Sequence, residues 1–290
     1  MNILTDARLT PARPDLAAAH LRGEIDAERY VEGIRMQVVW PHAPVRRAPQ
    51  ADSALDTEAL RGETVIAYEH SPEGWSWIAC ERDGYVGYAP SEALRETVAA
   101  PTHRVRALRT HLYPGPGIKA PPLGALQLGA LVTVAREHGD FSVLDDGACV
   151  WTRHLRPMDE HVADFVAAAE KMIGVTYLWG GRTTEGLDCS ALVQNAMELA
   201  GMRAPRDSDM QERELGAPLN LAPDLSGLRR GDLLFWKGHV GVMRDDETLL
   251  HANGYHMEVV SEPLRVAASR IAAAGGGDIT GARRMQAQVR

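Results

Sequence analysis

Three residues of this chain have the types that nucleophilic catalysis needs. Cys189 follows Asp188 at the start of an apolar-periodic stretch, in the first turn of a predicted helix over 189–200. Backbone N–H groups at a helix start lack intrahelical partners, and the helix dipole is positive there. That setting favours the thiolate, the nucleophilic form of cysteine. The Asp188 carboxylate can cap the helix, but its charge works against a thiolate, so a basic partner is required. His239 opens the run HVGVM and His251 closes TLLH. With Arg244-Asp245-Asp246 as the hairpin turn, the register places His239 directly opposite His251 on one face. Directly opposed residues have Cβ atoms about 4.5–5.5 Å apart, close enough for one imidazole to orient the other. The residues thus propose Cys189 as nucleophile, His239 as general base and His251 as orienting group. A zinc site built from the same side chains and Asp188 lacks any CxxC or HExxH spacing, and neither metal nor cofactor is expected. Cys80 and Cys149 lie in β-type runs and read as small buried hydrophobes.

The elements that must position these residues form an α+β pattern. From Asp159 the apolar spacing is helical, with Val162, Phe165, Val166, Ala169, Met172 and Ile173 on one face, Asp159 as N-cap and Gly174 as the stop. The helix from Cys189 ends at Gly201, a polar loop covers 202–230, and strand candidates follow at 232–236, 239–243, 248–251, 256–261 and 279–285. Ahead of this, short β runs alternate with turns. Examples are 64–68, 75–79 and 85–88, with Asp83-Gly84 as a hairpin signal. The stretch 128–144 parallels 61–78, with Gly129 falling on Gly62 and Phe141 on Trp75. We expect a leader over 1–30 with a short helix from Asp15, two tandem β modules over 31–98 and 101–157, and a catalytic domain over 159–290.

Composition narrows the class. With 45% hydrophobic and 24% charged residues, the chain is not a wholly disordered one. Its net charge of −8 argues against nucleic acid or anionic lipid as partner. Three cysteines are too few for a disulfide framework and fit a reducing compartment. No stretch approaches the roughly 20 apolar residues of a membrane span, and MNILTDARLTPARPD has no apolar core of a signal peptide. A cytoplasmic protein is expected.

The segments YLWGGRTTEGLDCSALVQNAMELAG (177–201), PRDSDMQ (205–211), LRRGDLLFW (228–236) and GHVGVM (238–243) together resemble the NlpC-type cell-wall cysteine peptidases. The resemblance covers 159–285 and is closest to the subgroup with two bacterial SH3 domains ahead of the peptidase, the γ-D-glutamyl-L-diamino-acid endopeptidases. It implies a papain-like catalytic domain behind two small SH3-like β-barrel domains, and the Cys–His–His triad. It implies Tyr177 as an oxyanion donor. It also implies that Asp188, Ser190, Trp179, Arg206, Asp207 and Ser208 surround the pocket for the substrate's free N-terminus. From the first SH3 domain it implies Tyr85 as a wall and an acid for the ammonium, Glu58 first and Asp56 second. The expected substrate is a short murein peptide, L-Ala-γ-D-Glu-diamino acid, with the γ-D-glutamyl–diamino-acid bond cleaved in recycling. Two other readings stay open: a wall-binding module with a degenerate peptidase, and an amidase or acyltransferase on the same thiol chemistry. Neither the diamino acid preferred nor the oligomeric state is legible.

Overall fold

The structure, a computed structural model, describes residues 6–285. Residues 1–5 of the expected leader and 286–290 of the expected catalytic domain lie outside the described residues. The chain separates into two compact units, one up to Glu160 and one from His161.

In the first unit the leader does not form the helix expected from Asp15. Leu16–Ala18 is a strand, paired in parallel with Arg29–Val31, and all three of its residues are buried. Pro11 and Pro14 hold the preceding backbone extended, which favours a strand over a helix start. The leader is fastened to the sheet that follows. Arg13 stacks its guanidinium 4.5 Å from the Trp77 ring centre, donates to the Tyr88 hydroxyl at 2.8 Å, and pairs with Glu69 at 2.6 Å. That sheet is antiparallel and seven-stranded, in the order 55–60, 42–46, 86–90, 75–80, 64–70, 34–38 and 94–95. Its core contains Met36, Val38, Val45, Val65, Ile78 and Ala89. Between 103 and 157 lie three smaller sheets around a separate core of Val105, Leu126, Val132, Leu144 and Val150. Gly62 and Gly129, matched in the internal repeat, both take left-handed φ, +81° and +89°. At Gly62 a Cβ would stand 2.3 Å from the Leu131 carbonyl oxygen, so a side chain has no room there.

The second unit opens with α1 (Phe165–Glu170), shorter than the helix expected from Asp159. Its cap is Asp164, whose carboxylate accepts from the Val166 N–H at 2.9 Å. Glu170 at its end takes hydrogen bonds from Arg230 and Arg244. The Arg230 bond is the largest influence that outweighs burial, and the carboxyl is pushed down to about 2. The next helix, α2 (Cys189–Leu199), buries nearly its whole length and stops before Gly201, whose φ is +76°. The stretch read as a polar loop contains α3 (Ser208–Glu214), and α4 (Leu264–Ala273) was likewise unexpected. Their apolar faces are thin: α3 buries Ser208, Met210 and Gln211, and α4 only Leu264 and Ala267. Neither gives a strong period of 3.6.

A six-stranded antiparallel sheet completes the unit, ordered 217–218, 281–284, 232–236, 239–243, 248–253 and 258–263. Helix α2 packs on strands 239–243 and 248–253, and α4 on 248–253 and 258–263. The hairpin register differs from the expected one. Met243 pairs with Leu249 and Val242 with Leu250, which puts Gly241, not His239, opposite His251. The turn is centred one residue later than 244–246, with the Arg244 N–H bonded to the Thr248 carbonyl at 2.8 Å and Asp245 accepting from the N–H groups of both Glu247 and Thr248.

Candidate active site

Cys189 is the first residue of α2, and its neighbour Asp188 caps the helix by accepting from the Ala191 N–H at 2.8 Å. The thiol is buried. Backbone N–H groups of Val240 and Ser190 reach its sulfur and favour the thiolate, but burial, followed by the Asp188 charge, dominates and pushes the thiol up to about 12. Val240 follows His239 in the chain, so the sulfur lies at the start of the histidine's strand. His239 Nε2 is 2.8 Å from His251 Nδ1. The two rings meet along a diagonal of the sheet, on the same face, past the bare Cα of Gly241. A Cβ at Gly241 would come within 2.7 Å of Leu249 and 3.3 Å of the His251 Cβ. Trp236, paired with His239 across the strands, sets its ring 5.7 Å from the imidazole. Burial first, and then the adjacent His251, push His239 down to about 3. Thiol and imidazole are therefore both neutral at rest.

Asp188 is differently employed from what its position beside a nucleophile suggested. Arg206 is buried and holds both carboxylate oxygens, Nη1 to Oδ1 at 3.0 Å and Nη2 to Oδ2 at 2.7 Å. Ser190 Oγ and the Gly180 N–H add bonds at 3.1 and 3.0 Å. The charge is answered inside the fold, and no substrate ammonium is needed to explain it. Arg206 also donates to Ser190 Oγ at 2.9 Å, and Gln211 Nε2 bonds the carbonyls of Ser190 and Pro205, both at 2.9 Å. The start of α2, the 180–181 turn and the segment 205–211 are thus one bonded assembly. Asp207 precedes α3 and accepts from the Gln211 N–H through its carbonyl, and Ser208 is buried at the helix start.

Tyr177 senses the charge of Cys189 and Asp188 electrostatically. Its phenol is pushed well up, by burial first, so it keeps its proton and can donate. Trp179 is 66% exposed, so it is a surface aromatic and not a core one. Tyr85 and Glu58 belong to the other unit. Tyr85 is packed in that unit's apolar core, and Glu58 is buried 3.5 Å from His42. Asp56 is engaged by Arg47 at 2.7 Å. Among the described residues no group of three or more His, Cys, Asp or Glu is placed to hold a metal ion.

Sequence reasoning missed Glu262. Its Oε1 lies 2.8 Å from His251 Nε2, and Asn253 Nδ2 is 3.0 Å from the same nitrogen. Strand alternation carries the signal: Val260 opposes His251, and Glu262, two residues on, shares its face.

Comparison with known proteins follows the same division of the chain. Residues 174–270 match the NlpC/P60 family, and residues 45–94 the bacterial dipeptidyl-peptidase Sh3 domain. The chain is 27% identical over 238 residues to the gamma-D-glutamyl-L-lysine dipeptidyl-peptidase of Bacillus subtilis, covering 72% of this chain and 77% of that one. A probable endopeptidase NlpC homolog of Haemophilus influenzae is 38% identical over 84 residues, 28% of this chain and 43% of the other. The crystal structure of an NlpC/P60 family protein from Bacillus cereus superposes with a TM-score of 0.69 at 19% identity, covering 86% of this chain and 99% of that one, a likeness of fold. This chain therefore carries an NlpC/P60 peptidase domain and a bacterial SH3 domain, and is homologous to the gamma-D-glutamyl-L-lysine dipeptidyl-peptidases.

Proposed function

We propose that the protein is a cysteine peptidase that hydrolyses the γ-D-glutamyl–diamino-acid bond of short murein peptides with a free N-terminal L-Ala. The observation that carries this reading is the Cys189 sulfur at the Val240 N–H, beside a His239 bonded to His251. In this reading His239 takes the thiol proton as the sulfur attacks the γ-carbonyl carbon. The oxyanion is met by the Tyr177 hydroxyl and the Cys189 N–H. His239 then returns the proton to the leaving amine, and water releases the acyl group by the reverse path. Ser190, next to the nucleophile in sequence, and Trp179, on the turn that precedes it, line the site of the N-terminal residue, with Arg206, Asp207 and Ser208 behind it. Homology to enzymes named dipeptidyl-peptidases supports recognition of a free N-terminus. We further propose that residues 101–157 are a second SH3-like domain, and that the protein acts in the cytoplasm on imported wall peptides.

The test is incubation with L-Ala-γ-D-Glu-L-Lys and with its diaminopimelate equivalent, each also N-acetylated. Release of L-Ala-γ-D-Glu from the free peptides is expected, with kcat/KM lower by roughly 10²–10³ after acetylation, which removes the ammonium that a free-N-terminus pocket recognises. Equal cleavage of free and acetylated peptides would sink the N-terminal specificity and the recycling role, and no dipeptide release would sink the peptidase reading.

A further inference from the structure

The hydrogen-bond chain through the two histidines does not end at His251. Glu262 Oε1, on the edge strand 258–263, accepts at 2.8 Å from His251 Nε2. Three charged or titratable groups stand around this bond. His239 comes from strand 239–243, Arg270 of α4 pairs with Glu262, and His256 approaches Oε1 to 3.9 Å. Arg270 also lies 4.4 Å over the Tyr255 ring, which holds it in place. Burial works against the Glu262 charge, but the His251 bond and the surrounding cations outweigh it, and the carboxyl stays below its usual range.

An ionised carboxylate only accepts, so His251 Nε2 carries the ring proton. Asn253 does not compete for that proton. Its oxygen is engaged by the N–H groups of Tyr255 and His256, so its amide nitrogen, a donor, faces His251 Nε2 at 3.0 Å, and the shorter, charge-assisted bond to the Glu262 carboxylate at 2.8 Å outcompetes it for that nitrogen. A neutral His251 then has its lone pair on Nδ1. That lone pair faces His239 Nε2 at 2.8 Å, so His239 must be the donor. The lone pair of His239 is left on Nδ1.

We propose that Glu262 is a positioning residue that fixes the tautomers of both histidines, leaving His239 Nδ1 as the free base. The proposal rests on the cysteine-peptidase reading above. In the step, the Cys189 S–H bond breaks and its proton binds His239 Nδ1. The resulting imidazolium still donates through Nε2 to His251, with the Glu262 charge behind it. The proton leaves Nδ1 for the departing amine, so Glu262 and His251 gain and lose none. The His251 bond first, and the Arg270 charge with it, keep Glu262 ionised.

The test uses the full chain with Glu262→Ala and Glu262→Gln. Thermal melts report folding, kcat and KM are measured across pH, and imidazole ¹⁵N shifts report tautomers without substrate. Glu262→Ala is expected to lower kcat roughly 10–100-fold, as removal of a partner that orients a catalytic histidine does. KM should stay within about twofold, and His251 should become a mixture of tautomers. Glu262→Gln, whose amide oxygen can still accept, should keep the tautomer, lose less activity, and move the acid limb of kcat to lower pH. Unchanged kcat and unchanged tautomers in both variants would overturn the proposal. Should Glu262→Ala not fold, an unmoved acid limb in Glu262→Gln overturns it. A wild-type chain without hydrolysis, or hydrolysis by Cys189→Ala, counts against the peptidase reading, while the ¹⁵N shifts still judge Glu262.

Discussion

His239 reaches His251 past Gly241, the residue that lies across the hairpin from His251. The imidazoles close to 2.8 Å because no side chain stands between them. Gly241→Ala would put a Cβ 2.7 Å from Leu249 and 3.3 Å from the His251 Cβ. Overpacking of this kind costs about 1–3 kcal/mol, and a misplacement near 1 Å at the chemistry costs roughly 10²-fold in rate. Gly241→Ala is expected to remain folded with kcat reduced on that scale. Gly254→Ala, whose Cβ meets nothing within 4 Å, is the control and should match the wild type.

Removal of the nucleophile is the plainest chemical test. Cys189→Ala and His239→Ala should each lower kcat by roughly 10⁴-fold or more with the melting curve preserved. His251→Ala should retain about 10–100-fold more activity than either, because an orienting group is partly dispensable. Peptide hydrolysis on variants matched for folding decides the order.

A neutral resting pair has a pH signature. His239 is held at about 3 by burial and His251, below its ordinary 6.5, so the unfolded chain binds more protons between those values. Its contribution to stability is complete above pH 6.5 and is lost as pH falls toward 3. Cys189 is raised from 9 to about 12, so its contribution is complete below pH 9 and is lost as pH rises toward 12. In the free enzyme, alkylation of Cys189 by iodoacetamide should climb steadily from pH 7 to pH 10, about tenfold per unit. A plateau near neutrality would show a thiolate–imidazolium pair instead.

The Asp188–Arg206 pair is buried on both sides, with side-chain exposures of 10% and 0%. Truncating one partner of such a pair costs about 3–5 kcal/mol. Arg206→Ala should therefore shift the urea midpoint strongly. Arg206→Lys should recover little, since an ammonium cannot span both carboxylate oxygens. A midpoint within experimental error of the wild type for Arg206→Ala would remove the pair's structural role.

Much of this architecture was legible because it rests on local rules. Asp188 before an apolar period, Gly201 after it, and the strands at 232–236 and 239–243 follow from caps and short apolar runs. The parts that were not legible depend on tertiary context. A one-step difference in where the 244–247 connection closes changed the pairing of His239, although its face stayed the same. The leader became a strand because its neighbours buried it, against the helical propensity of its alanines. Arg206 entered as a pocket residue, and only the fold shows it sealed against Asp188. Glu262 is invisible until the third strand of the hairpin assembly is placed in register.

The leader has a kinetic consequence. Arg13 already occupies the aromatic surface of Trp77 and Tyr88, with Glu69 holding its charge. A segment tethered to its own docking face is present at an effective concentration on the order of millimolar. Any cationic ligand arriving from outside at that face must wait for the leader to depart, and its measured dissociation constant is the intrinsic one divided by the fraction of time the face is vacant. A chain shortened past Arg13 presents a stickier aromatic surface than the intact one, so binding assays on such truncations would overstate the affinity of the whole protein.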